Sequence, residues 1–196
     1  MKLKFDVTGK HQPDPYIFED GGKLYLYVTA HDGVEAYSAD DLFGVWHYEG
    51  IVFSIKGRIE YWAPSVAKIN GRYYIYVSSS TDDEFEYMHA AVADSPLGPF
   101  KYIGPLKDTK GNPIRAVDGC FLVDDDRLYI YWHSNVSNPE NKDVYLMTGT
   151  VCAELDPENP CQMITEPVEI NRFEPEIEWQ RFGENNENKR KFIADV

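Results

Sequence analysis

Pro13-Asp14-Pro15-Tyr16-Ile17, followed after a short gap by Tyr25-Leu26-Tyr27, is the first copy of a unit that returns twice along the chain. Trp62-Ala63-Pro64-Ser65-Val66 leads to Tyr74-Ile75-Tyr76, and Val117-Asp118-Gly119-Cys120-Phe121 leads to Tyr129-Ile130-Tyr131. A repeat of about fifty residues built from short aromatic strands reads as propeller blades, because one small sheet cannot bury both faces until neighbouring sheets stack on it. The likeness extends further into the unit: Phe43-Gly44-Val45-Trp46-His47-Tyr48-Glu49-Gly50 matches Leu97-Gly98-Pro99-Phe100-Lys101-Tyr102-Ile103-Gly104. The fold class is therefore all-β, a β-propeller.

The blades fall at about residues 14–50, 61–104 and 116–155 of a single domain spanning 1–196. In the first, strands are expected at Pro15 to Glu19, Lys23 to Thr29 and Val34 to Ser38, with Asp20-Gly21-Gly22 as a hairpin turn. Asn70-Gly71 gives the second blade its hairpin, and Asp124-Asp125-Asp126 turns the third into Leu128 to Trp132. After Asp156 the texture changes to a Glu-rich stretch interrupted by Pro157, Pro160, Pro167 and Pro175. Residues 156–196 are read as a connection toward a fourth blade, which Phe192 to Val196 approaches. The expectation is an incomplete propeller, able to self-associate through exposed blade faces.

Composition narrows the partners. The 196 residues are 43% hydrophobic and 14% aromatic, enough to build a core, and the formal charge is −14 with no basic stripe to offset it. Attraction to nucleic acid or to an anionic membrane surface is not expected of such a chain. Met1-Lys2-Leu3-Lys4-Phe5-Asp6 lacks the apolar stretch of a signal peptide, and the sequence places the protein in the cytoplasm. Cys120, Cys152 and Cys161 make an odd set without metal-binding spacing, which argues for reduced thiols and against both a disulfide framework and a structural zinc. Cys120 reads as a packed small residue, since no His in its motif would activate it as a nucleophile.

Asp14 and Asp118 occupy matching points at the entry of the innermost strand in two different blades. First strands converge on a propeller's axis, so both carboxylates are delivered to one central pocket. Two acids in one pocket suit glycoside cleavage, in which one carboxylate activates water and others hold or shift the proton of an acid. Read singly, each Asp is a strand-entry residue; recurrence at equivalent positions favours the chemical role.

His11-Gln12-Pro13-Asp14-Pro15-Tyr16, Tyr61-Trp62-Ala63-Pro64-Ser65-Val66 and Ala116-Val117-Asp118-Gly119-Cys120-Phe121, in that order, resemble the first three blade boxes of family 43 glycoside hydrolases. The resemblance covers roughly residues 10 to 155 and implies a five-bladed propeller, of which this chain holds about three blades. It also implies a β-xylosidase, α-L-arabinofuranosidase or arabinanase acting with inversion on plant cell-wall carbohydrate. Carried over by position, Asp14 matches the general base, Asp118 the residue that orients the general acid and raises its pKa, and Trp62 an aromatic lining the sugar pocket. His31 and His133 are candidates to touch sugar hydroxyls. The family's general acid is a Glu opening the fourth blade, and no box of that kind occurs in these residues; Glu174, Glu176 and Glu178 alternate with Pro175, Ile177 and Trp179 as an exposed strand or loop would. The expectation is that the acid follows Val196 and that the 196-residue chain alone is inactive.

No cofactor or metal is expected, apart from the axial calcium that the resemblance allows in a complete propeller. Asp124-Asp125-Asp126 lacks the Gly and distal Glu of a calcium loop and reads as a hairpin tip. Two other functions compete: a carbohydrate-binding propeller without catalysis, and a fructosidase-like hydrolase. The latter would require Asn-Asp-Pro and Arg-Asp-Pro boxes, where this chain has Pro13-Asp14-Pro15 and no counterpart of the second.

Overall fold

Each Tyr-x-Tyr segment becomes the second strand of a separate sheet in the computed structural model, which describes residues 2–81, 87–137 and 145–172. The first sheet contains β1 (Lys4–Phe5), β2 (Tyr16–Asp20), β3 (Lys23–Val28), β4 (Val34–Ala39) and β5 (Val45–Phe53), in the spatial order β1-β5-β4-β3-β2. The second is a four-stranded meander of β6 (Ile59–Ile69), β7 (Arg72–Ser80), β8 (Tyr87–Ala93) and β9 (Lys101–Pro105). The third runs β10 (Cys120–Asp124), β11 (Arg127–Ser137), β12 (Tyr145–Asp156) and β13 (Asn159–Met163), with β14 (Val168–Arg172) also paired to β12. These are three consecutive propeller blades, and the fold is all-β.

Local chemistry sets the repeat. The pairs Asp20↔Lys23, Ile69↔Arg72 and Asp124↔Arg127 close two-residue hairpins over Gly21-Gly22, Asn70-Gly71 and Asp125-Asp126. Gly21, Gly22, Asn70 and Gly71 all have positive φ, the conformation whose twist matches the flanking strands. The second repeated segment places Gly50 and Gly104 at the same bulge: Ala36↔Gly50 is followed by Tyr37↔Tyr48, and Ala90↔Gly104 by Ala91↔Tyr102. Their φ values of 92° and 143° explain why both copies carry glycine there.

The second sheet lies between the other two, and β7 shows how. Ile75 and Val77 join Tyr27, Val34 and Ala36 of the first sheet in one buried cluster, whereas Tyr76 joins Phe121, Ile130 and Trp132 of the third in another. Alternation along one strand thus feeds two cores. The second tyrosine of the motif crosses to the next sheet: the buried Tyr27 hydroxyl donates to the Pro96 carbonyl at 2.5 Å, and the Tyr76 hydroxyl donates to the carbonyl of Pro160. A phenylalanine would fill the same space but would leave those carbonyls without this donor.

Two sequence expectations change. Strand structure continues past Leu155 through β13 and β14, so the stretch from 156 onward is not connection alone. Pro157 and Pro160 hid the strand, but Pro157 lies in the turn before β13, and Pro160 falls where the register jumps from Asp156↔Asn159 to Leu155↔Met163, an irregularity in which the missing proline N–H costs no regular ladder bond. The outer face of the first sheet is also not open: Leu26, Val28, Tyr37, Ala39 and Trp46 are at most 1% exposed. Residues ahead of β2 lie against it, with Phe5 edge-on to Tyr37, Gln12 Nε2 donating to the Tyr37 hydroxyl at 3.3 Å, and Lys10 Nζ donating to Glu35 and Tyr48. Exposed apolar side chains are spread over all three sheets, with Ile17 and Ile51 on the first, Ile103 on the second, and Leu122, Val168 and Ile170 on the third. Glu174, Glu176, Glu178 and Phe192 to Val196 lie outside the described residues.

Candidate active site

Strand register delivers the box residues. Because Tyr16 pairs with Tyr27, two residues back along β2 meet two residues on from β3: Thr29 N donates to Pro13 O at 3.1 Å, and Thr29 Oγ1 donates to Asp14 Oδ2 at 2.6 Å. The third sheet repeats this with Cys120 opposite Tyr131, so that His133 N donates to Val117 O at 3.3 Å and His133 Nε2 stands 3.6 Å from Asp118 Oδ2. In the second sheet Ala63 takes the place of the carboxylate. Asp14, Ala63 and Asp118 have φ of 50°, 44° and 56°, a left-handed conformation uncommon for residues with a Cβ. One backbone kink thus recurs at the mouth of all three blades.

The second sheet also fixes the entry of the third. Ser65 Oγ donates to Gly119 O at 2.7 Å and Ser78 Oγ donates to Ala116 O at 3.1 Å, so Asp118 is bracketed by two buried hydroxyls. A Cβ on Gly119 would stand 2.2 Å from Met88 Cε and 2.4 Å from its Sδ, so any larger residue beside the carboxylate requires the tip of the Met88 side chain to shift.

Asp14, Ala63, Asp118, Cys120, His133 and Thr150 share the wall of one open depression of about 400 Å³. The Asp118 side chain is 43% exposed, whereas that of His133 is 11% exposed and its Nδ1 is buried with no hydrogen-bond partner among the described residues. Carboxylates from two sheets therefore face one solvent-filled space, where each can exchange a proton with water or with a bound hydroxyl. Cys120, expected to be packed, is exposed in this wall. Its immediate surroundings desolvate the sulfur and raise the thiol pKa, which favours the protonated, non-nucleophilic form. Asp125 and Asp126 form an exposed hairpin tip, and among the described residues no group of three or more His, Cys, Asp or Glu side chains is placed to hold a metal ion.

The remaining sequence candidates lie off this wall. Trp62 is half-buried, pairs with Ser78 and precedes Ala63, but it is not among the lining residues. His31 is 59% exposed at the junction of the first two sheets; its Nδ1 is 2.8 Å from Asp32 Oδ1 and its Nε2 3.7 Å from Glu60 Oε1. The hydrogen bond with Asp32 raises the imidazole pKa. Thr29 and Ala63 escaped the sequence reading. The usable signal was the position two residues beyond each Tyr-x-Tyr, which is Thr29, Ser78 and His133 in turn.

Known proteins resemble this chain along most of its length. It is 29% identical over 170 residues to a probable arabinan endo-1,5-α-L-arabinosidase A of Aspergillus flavus, covering 80% of this chain and 52% of that protein. It is also 29% identical over 153 residues to a xylosidase/arabinosidase of Bacteroides ovatus, covering 66% of this chain and 45% of the relative. The chain thus spans about half the length of the curated relatives it matches. Among solved structures, a thermostable family-43 glycoside hydrolase superposes with a TM-score of 0.70 at 24% identity, over 87% of this chain and 55% of that one. The RS223 β-xylosidase gives 0.70 at 19% identity, over 89% and 66%. These superpositions establish the fold, and the profile for Glycosyl hydrolases family 43 matches residues 7–163, so the chain belongs to that family.

Proposed function

We propose that the protein is a glycoside hydrolase that releases arabinofuranose or xylose units from plant cell-wall oligo- and polysaccharides by an inverting acid–base mechanism. The observation that carries this reading is the convergence of Asp14 and Asp118, from separate sheets, on one open depression. Membership of family 43 and relatives named as arabinosidases and xylosidases supply the substrate class.

Asp14 acts as general base and takes a proton from the water that attacks the anomeric carbon. Asp118 orients the general acid and, as a nearby negative charge, raises that acid's pKa so that it stays protonated until the leaving oxygen needs the proton. His133, beside Asp118, is available to a sugar hydroxyl or to Asp118 itself. No glutamate among the described residues lines the depression, and the general acid is expected on a strand other than those described.

Full-length protein incubated with aryl α-L-arabinofuranoside and aryl β-D-xyloside tests the reading. Inversion requires room for a water between base and acid carboxyls, a separation of ~6.5–9.5 Å. Proton NMR during the first minutes should therefore show the sugar released with the opposite anomeric configuration. A retained anomer, or turnover of neither glycoside, contradicts the proposal.

A further inference from the structure

We propose that Thr29 is a positioning residue for Asp14, fixing which carboxylate oxygen receives the proton from water. The inference rests on the reading of Asp14 as general base. A threonine hydroxyl has one hydrogen to give and lone pairs to accept with. Here the accepting side is taken by Ala63 N–H at 2.8 Å, and the hydrogen is directed to Asp14 Oδ2 at 2.6 Å. That length is typical of a hydroxyl bonded to a charged carboxylate, the stronger class of hydrogen bond. Asp14 Oδ2 thereby already accepts one strong hydrogen bond, which lowers its basicity relative to its partner oxygen, and Oδ1 is the oxygen assigned to the incoming proton.

The relay crosses two sheets. Thr29 belongs to the first, and its backbone N–H is anchored on Pro13 O; Ala63 belongs to the second, and its kinked backbone presents the N–H that orders the Thr29 hydroxyl. The orientation of the base therefore depends on how the two blades dock. The repeat supports the assignment independently of this one contact. At the same place, two residues beyond Tyr-x-Tyr, the third sheet sets His133 against its own carboxylate Asp118. The second sheet, which has Ala63 where the others have Asp, turns Ser78 instead to the backbone of Ala116. A polar side chain meets a carboxylate at this position wherever the blade has one.

Without the hydroxyl, the carboxylate rotates more freely and the productive oxygen is less often in line, which slows the chemical step while leaving sugar contacts elsewhere intact. The test compares wild type, Thr29→Val, Thr29→Ser, Asp14→Asn and the Thr29→Val/Asp14→Asn double variant in the full-length protein on an aryl pentoside. Thr29→Val should lower kcat roughly 10–100-fold with KM within about twofold, and Thr29→Ser should stay within about threefold of wild-type kcat. Because Thr29 acts through Asp14, adding Thr29→Val to Asp14→Asn should lower kcat no further. If Thr29→Val fails to fold, Thr29→Ala removes the same hydroxyl and gives the same comparison. A hydroxyl-free variant that folds and keeps wild-type kcat, or losses that multiply in the double variant, overturns the inference and leaves the assignment of the site untouched. Wild-type protein inactive on every pentoside refutes that assignment and the inference with it.

Discussion

Among single residues, His89 shows most plainly how burial becomes a measurable property. It is 4% exposed, its Nδ1 lies 3.1 Å from the Tyr102 hydroxyl, and its Nε2 is buried without a hydrogen-bond partner among the described residues. Burial, helped by the charge of Arg58, pushes its pKa down to about 3. Since an unfolded histidine titrates near ~6.5, the unfolded chain binds the extra proton between those values. The contribution of His89 to stability is therefore complete above that pH and is lost as pH falls toward 3, by up to about 1.4 kcal/mol per pH unit. Urea unfolding at pH 7 and pH 5 should show wild type losing about 2 kcal/mol more than His89→Gln, and equal losses would contradict the burial argument. Asp14 and Asp118 were legible as a pair because proline and glycine boxes recur around them. Thr29 was not, because its role appears only when cross-strand register and the Ala63 N–H of another sheet are both known.

At the scale of elements, the entry of β10 can lie against the Met88 side chain of β8 because one side chain is missing at Gly119. Gly119 opens the third sheet against the fully buried Met88, and Ser65 holds the Gly119 carbonyl so that the strand cannot simply back away. Gly119→Ala should destabilise the protein by about 1 kcal/mol, the low end of the cost of forcing a methyl into a packed core, because the atoms it meets are the flexible tip of Met88. Denaturant melts read this directly, and an unchanged midpoint would mean that Met88 moves aside without penalty. Hairpins and strands were readable wherever Gly21-Gly22 or Asn70-Gly71 separates alternating aromatic runs. The β13 strand was unreadable because Pro157 before it and Pro160 within it carry the local signature of a connection, while what admits Pro160 is a register irregularity against β12 that no local pattern shows.

For the whole molecule, the period of the repeat foretold that three sheets stack face to face, and the stacking is what brings Asp14, Ala63 and Asp118 to one depression. The cover on the first sheet's outer face was not foretold, since Phe5, Lys10 and Gln12 carry no periodic pattern and act only where the chain lies across Tyr37 and Tyr48. The central claim is that this convergence is a hydrolytic site with Asp14 as its base. The most direct measurement is kcat of Asp14→Asn against wild type, in the full-length protein on an aryl arabinofuranoside or xyloside, with thermal unfolding followed in parallel. An amide cannot take the proton from water, so turnover should fall by ~10²–10⁴-fold with the unfolding midpoint essentially unchanged. A folded Asp14→Asn protein that keeps more than about a tenth of wild-type kcat would contradict the account, because no general base of consequence loses so little on becoming an amide.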